Sequence, residues 1–174
     1  MYSYRGKLLK VSLSTKTFEI EKLEEDVVRK FLGGAGLAHL IANYVSIYSG
    51  KLSALCGCGI KAGVGATAGI AYYLTPVDDK ARVIGQAINN MAGGIVGMIC
   101  DGAKAGCALK VAAATGAAME SALLASAGLG LSYSDGIVNE DAMITLRHIG
   151  GISKAMEGTD RKIIEFLQDM PPRN

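Results

Sequence analysis

From about Tyr44 onward, Gly and Ala are so dense that helices formed there must present faces of small side chains. Small faces let helices approach closely, which suits a compact all-α bundle. Ala62 to Leu74, Lys80 to Met98, Cys107 to Ala127 and Glu140 to Ile149 all read as helices. Each interior Gly weakens its helix by about 1 kcal/mol relative to Ala. Ser134-Asp135-Gly136 reads as a turn, Asn139 as the N-cap of the helix that follows, and Gly150-Gly151 as its end. Thr159 is expected to cap a last helix that stops before Pro171-Pro172, leaving 171–174 as a tail.

The first 41 residues have a different character. Lys7 to Leu13 alternates, Ser14-Thr15-Lys16 turns, and Thr17-Phe18-Glu19-Ile20 alternates again, the pattern of a β-hairpin. Glu24-Glu25-Asp26 then open a short helix through Phe31-Leu32, with acids complementing its dipole. Gly33-Gly34-Ala35-Gly36 is expected to stop it. The expected fold is therefore mainly α: an Ala/Gly-rich helical bundle preceded by a small β-hairpin plus short helix. The organisation reads as 1–41, then a helical domain over 44–170, then the tail.

The composition narrows the function classes. A chain that is 50% hydrophobic and 20% charged is globular rather than disordered. A net charge of only +2 offers no electrostatic case for nucleic acid or an anionic membrane. With no Trp, stacking platforms for bases are not expected either. The N-terminus has no apolar signal-peptide core, so a cytoplasmic location is expected. The longest apolar stretch, Ala108 to Leu131, carries Lys110 and Glu120 and reads as packed helix rather than membrane span. In such a setting the cysteines point to metal binding or catalysis and away from a disulfide framework.

Cys56-Gly57-Cys58 opens a Gly-rich helix, and Cys100 and Cys107 flank Asp101-Gly102-Ala103-Lys104-Ala105-Gly106. The Gly102 and Gly106 breaks favour a loop that folds Cys100 and Cys107 towards one point. Cys58 must be brought in by tertiary structure. Zinc usually takes closer Cys-x-x-Cys pairs with a further Cys or His, and the chain's two histidines, His39 and His148, lie far from the cysteines in sequence. Spacing alone does not separate a ligand set from small buried cysteines in a tight core.

Two stretches carry more information. Leu55-Cys56-Gly57-Cys58-Gly59-Ile60 and the run from Gly97 through Cys100-Asp101-Gly102-Ala103-Lys104-Ala105-Gly106-Cys107 to Val111 resemble the C-terminal part of the iron-sulfur serine dehydratase alpha-chain family. The nearest branch is the one that includes L-cysteine desulfidase, and Asp135-Gly136-Ile137-Val138-Asn139-Glu140-Asp141 is similar to it too. The resemblance covers about 44–170. It implies an oxygen-sensitive 4Fe-4S cluster held by three cysteines with one open iron. It also implies a small amino-acid substrate and an α,β-elimination whose enamine product hydrolyses to pyruvate and ammonia. L-cysteine would release sulfide and L-serine water. By position the implied ligands are Cys58, Cys100 and Cys107, with Cys56 the less apt neighbour. Family members carry a long N-terminal region that supplies the catalytic base and loops for the amino acid. That region is expected to be missing here, to be supplied by a homodimer mate or a partner chain. In its place, Arg5-Gly6-Lys7 through Phe31-Leu32-Gly33-Gly34-Ala35-Gly36-Leu37 resembles the opening of the tungsten-pterin aldehyde ferredoxin oxidoreductases, with Ala35 where those enzymes usually have Arg. The rest of their pterin site is absent, so neither tungsten binding nor aldehyde oxidation is expected, and the chain reads as two truncated families joined.

Among the remaining residues, Asp101 and Lys104 stand between two implied ligands. Lys104 could pair with a substrate carboxylate or tune the cluster, against the simpler reading of a solvated loop charge. Asn89 and Asn90 could hydrogen-bond substrate, against a helix-face or capping role. The functional expectation is an iron-sulfur lyase, and the competing one a non-catalytic remnant or helical interaction module.

Overall fold

Among the described residues, six α-helices carry the fold: α1 (Glu25–Ser49), α2 (Ala62–Leu74), α3 (Lys80–Ile95), α4 (Ala105–Ser126), α5 (Ala142–Ala155) and α6 (Glu157–Gln168). The computed structural model describes residues 7–12, 17–22, 25–50, 53–102 and 105–169. The chain is mainly α, as its composition implies. Lys7–Ser12 and Thr17–Lys22 take antiparallel extended backbone, with Lys7 opposite Lys22. The turn expected between them, Ser14-Thr15-Lys16, lies outside the described residues, as does the 171–174 tail, and the expected hairpin is left unsupported.

Helix α2 sits centrally, against α1, α3 and α4. It is apolar nearly all round, with Gly63, Val64, Gly65, Thr67, Ala68, Gly69 and Ala71 buried, as a helix enclosed by others must be. The main core joins Val45, Leu55, Ile60, Val64, Met91, Leu146 and Ile149. A second layer of Ala71, Val83, Ala87, Ala122 and Ala125 lets α2, α3 and α4 meet at short range. Helix α6 contacts α5 and buries none of its own residues.

Several glycines expected to break helices do not. Gly33-Gly34-Ala35-Gly36 lies inside α1, which runs unbroken to Ser49. The reason is the crossing with α2. A Cβ added at Gly65 would sit 2.3 Å from the Ala38 carbonyl oxygen, and one at Gly69 would sit 2.6 Å from the Gly34 oxygen. These glycines are the contact surface of two helices touching backbone to backbone. Gly150-Gly151 likewise continues α5, because a Cβ at Gly150 would lie 2.3 Å from the Tyr48 Cβ. The N-cap of α5 is Asp141, not Asn139. Asp141 accepts from the Met143 amide at 2.8 Å, while Asn139 Oδ1 accepts from the Asp141 amide at 3.0 Å. Thr159 lies within the first turn of α6, which is capped at Met156 without a side-chain bond.

Among the described residues, the buried Ser153 hydroxyl has no hydrogen-bond partner. A buried polar group left unpaired is destabilising, by about 1 to 3 kcal/mol. Ser153→Ala is therefore expected to raise stability by about 1 kcal/mol, read from the chemical denaturation midpoint. A loss of similar size would contradict this reading.

Candidate metal centre

One short contact joins the segment of Cys56 and Cys58 to that of Cys100, and α4, which carries Cys107, packs against the Gly57–Lys61 turn. Leu55 and Ile99 form an isolated antiparallel bridge. The Cys56 amide donates to the Met98 carbonyl at 3.0 Å, and the Cys100 amide donates to the Ala54 carbonyl at 2.7 Å. This clamp lays the chain leaving α3 beside the chain entering α2. The entry itself is a wide π-type turn, Gly57–Lys61, in which the Ala62 amide reaches back to the Gly57 carbonyl. Such turns are rare and recur at functional sites. The Cys56 sulfur accepts from the Gly59 amide at 3.2 Å and is only 2% exposed, so it serves as the cap of this turn. Cys58, two positions on, is exposed. Lys61 closes the turn from inside. It is buried, donates to the Gly50 carbonyl at 2.8 Å, and burial lowers its pKa below the usual ammonium range. On the other side, Gly102 adopts φ +97°, a left-handed conformation that suits glycine, on the way into α4. Cys107 then falls in the first turn of α4.

The Cys107 thiol lies near Cys58 and Cys100, and its interaction with Cys58 is the main reason its pKa is raised. Partial burial and the neighbouring charges of Cys58 and Cys100 push the same way, opposed by Lys110. Cys100 and Cys107 are half-buried, and all the cysteines are free thiols. Beside them, Lys110 forms an ion pair with Asp101. Asp101 is held below the usual carboxylate range by this contact. Lys110 is raised by Asp101 first, with Cys56 and Cys100 adding to the effect. Sequence reasoning used Lys110 only as an argument against a membrane span. The available signal was its position three residues after Cys107, which puts both on one helix face. Lys104 lies outside the described residues. Asn89 and Asn90 have internal partners. Asn89 donates to the Asn139 carbonyl at 2.8 Å and accepts from the Thr145 hydroxyl at 2.7 Å. Asn90 donates to the Leu129 carbonyl at 3.0 Å and accepts from the Leu131 amide at 2.9 Å.

The donor set fits a three-thiolate cluster. Cys107 stands near both Cys58 and Cys100, Cys56 is engaged as a cap, and the exposed Cys58 leaves one side open. Among the described residues, no group of three or more His, Cys, Asp and Glu is placed to hold a single metal ion. A cubane holds its thiolates farther apart than one tetrahedral ion does, so the two geometries differ. An alkylating agent is expected to label Cys58 first, Cys100 and Cys107 more slowly, and Cys56 only on unfolding. Because the Cys107 pKa is raised, its thiolate fraction is small at neutral pH, and its labelling should climb steeply at alkaline pH. Peptide-resolved mass spectrometry checks the order.

The description of the serine dehydratase alpha chain family matches residues 9–165. The chain belongs to the serine dehydratase alpha chain family. The match runs through most of the first 41 residues as well, and the resemblance of that segment to aldehyde ferredoxin oxidoreductases finds no support. A UPF0597 protein of Desulfotalea psychrophila is 41% identical over 150 residues, covering 86% of this chain and 33% of that protein. One from Clostridium tetani is 40% identical over 152 residues, covering 87% and 34%. One from Clostridioides difficile is 42% identical over 135 residues, covering 77% and 31%. This alpha-chain member thus spans about a third of the length of the curated relatives it matches. No solved structure matches it.

Proposed function

We propose that this chain is the cluster-bearing part of an iron-sulfur lyase acting by α,β-elimination on L-cysteine or L-serine. The observation that supports it best is the nearness of Cys107 to Cys58 and Cys100, beside the Asp101–Lys110 pair, in a member of this family. A bound 4Fe-4S cluster would supply an open iron, a Lewis acid for the carboxylate and β-substituent of the substrate. Cys58, Cys100 and Cys107 would hold it through their thiolates. Asp101, kept ionised by Lys110, fixes that ammonium beside Cys100. Lys104, between the ligands, is proposed to meet the substrate carboxylate. The base that takes the α-proton is assigned to the part of the longer relatives that this chain does not span. Loss of the α-proton and of sulfide or water leaves the enamine, whose imine tautomer hydrolyses to pyruvate and ammonia. An oxygen-sensitive cluster of this kind suits a reducing cytoplasm.

The test is pyruvate formation after anaerobic reconstitution, with a full-length UPF0597 relative run in parallel. Pyruvate from L-cysteine with equimolar sulfide, or from L-serine, is expected from the relative and is lost on replacing its counterpart of Cys58. Absence of pyruvate from a cluster-loaded relative with both amino acids would overturn the reading. A second reading, a helical interaction module with no turnover of its own, is favoured by the chain's coverage of only 33% of its relative. It predicts assembly with other polypeptide and no pyruvate from this chain alone.

A further inference from the structure

The outer face of α4 is apolar over its whole length. Leu109, Ala112, Gly116, Met119 and Leu123 follow one another at spacings of three and four and are all exposed. Leu109 is 74%, Leu123 49% and Met119 46% exposed. This is the seam pattern by which one helix receives another. Nothing lies within 4 Å of a Cβ added at Gly116, so the middle of the seam is open. Met119 also lines an apolar cleft between α1 and α2, which widens the patch. Contiguous apolar surface of this kind marks a contact site.

We infer that this face seats the polypeptide corresponding to the two thirds of the UPF0597 relatives that this chain does not span. Two observations carry the choice of occupant. The matching stretch is 33% of the Desulfotalea psychrophila relative, so in this family the fold comes with a covalent neighbour at a local concentration a second copy does not reach. Lipid is disfavoured although Ala105–Ser126 is long and apolar enough to cross a membrane. The inner face of α4, with Ala114, Ala118 and Ala122 buried, packs on α2 and α3, and the exposed Glu120 would have to enter hydrocarbon. The inference rests on family membership and not on the lyase reading.

The test uses Leu123→Cys in the 174-residue chain and in a full-length chimera, the Desulfotalea psychrophila relative with its matching stretch replaced by this one. Alkylation at position 123, read peptide by peptide in cluster-free protein, is expected to be at least about tenfold slower in the chimera, as for a buried site that opens only transiently. Leu109→Glu with Leu123→Glu is expected to lower the melting temperature of the chimera and leave that of the 174-residue chain unchanged. A cysteine at the aligned position of the native relative gives the same reading if the chimera does not fold, and slow labelling is again expected. Equal labelling rates in the short and full-length proteins would overturn the inference. So would equal protection of the short chain through a homodimer detected by light scattering, or through added phosphatidylcholine vesicles.

Discussion

Serine in place of Cys58, Cys100 or Cys107 is expected to abolish the broad charge-transfer absorbance of the anaerobically reconstituted protein, each change alone sufficing. A serine hydroxyl is a far poorer ligand for iron than a thiolate, and two remaining thiolates do not retain a cubane against competing thiols in solution. Loss of one ligand should weaken binding by more than about 100-fold, beyond the 10–100-fold typical when only an outer partner of a ligand is removed. Cys56→Ser is the informative contrast. The Cys56 sulfur is buried and accepts from the Gly59 amide, so its replacement touches the π-type turn and not the ligand set. It should lower stability by about 1 kcal/mol and keep the absorbance. Retention of the cluster in Cys58→Ser together with its loss in Cys56→Ser would reverse the assignment of the first ligand.

Gly65→Ala is expected to lower stability by about 3 kcal/mol, the upper part of the range for forcing extra volume into a packed interior. For a chain of this size that is a fall of roughly 10 °C in melting temperature. The added Cβ would meet the Ala38 backbone oxygen at 2.3 Å, and a backbone atom in the middle of a helix cannot swing aside. Gly36→Ala, in α1 itself, should do the opposite. A Cβ there meets nothing within 4 Å, so the change gains helix propensity of about 1 kcal/mol with no clash. Thermal denaturation of the pair separates glycine as a contact surface from glycine as a mere weak point. Equal effects of the same sign would contradict the described crossing of α1 and α2.

The same distinction explains which parts of the fold were legible in the sequence. Helix α2 is found at Ala62–Leu74, where its small apolar residues predicted it, because nothing near its ends competes with the pattern. The Gly33-Gly34-Ala35-Gly36 and Gly150-Gly151 runs were misleading, because a glycine that ends a helix and one that admits a neighbouring backbone look alike in one dimension. Only the partners, Gly69 in one case and Tyr48 in the other, tell them apart. The site shows the same limit. The motifs singled out Cys58, Cys100 and Cys107, but the contact that brings the Cys58 and Cys100 segments together is a bridge of one residue pair, Leu55 with Ile99. A bridge so short leaves no alternation to read. Lys110 was visible as a charge on an apolar helix, yet its pairing with Asp101 depends on the turn through Gly102, which spacing does not reveal.

The most direct test of the account is the Mössbauer spectrum of the protein reconstituted anaerobically with isotope-enriched iron. Three thiolates on a cubane predict about four irons per chain, with one iron distinguishable from the other three and shifted by L-cysteine or L-serine. Four equivalent irons, a two-iron cluster, or no iron bound by the folded chain would contradict it.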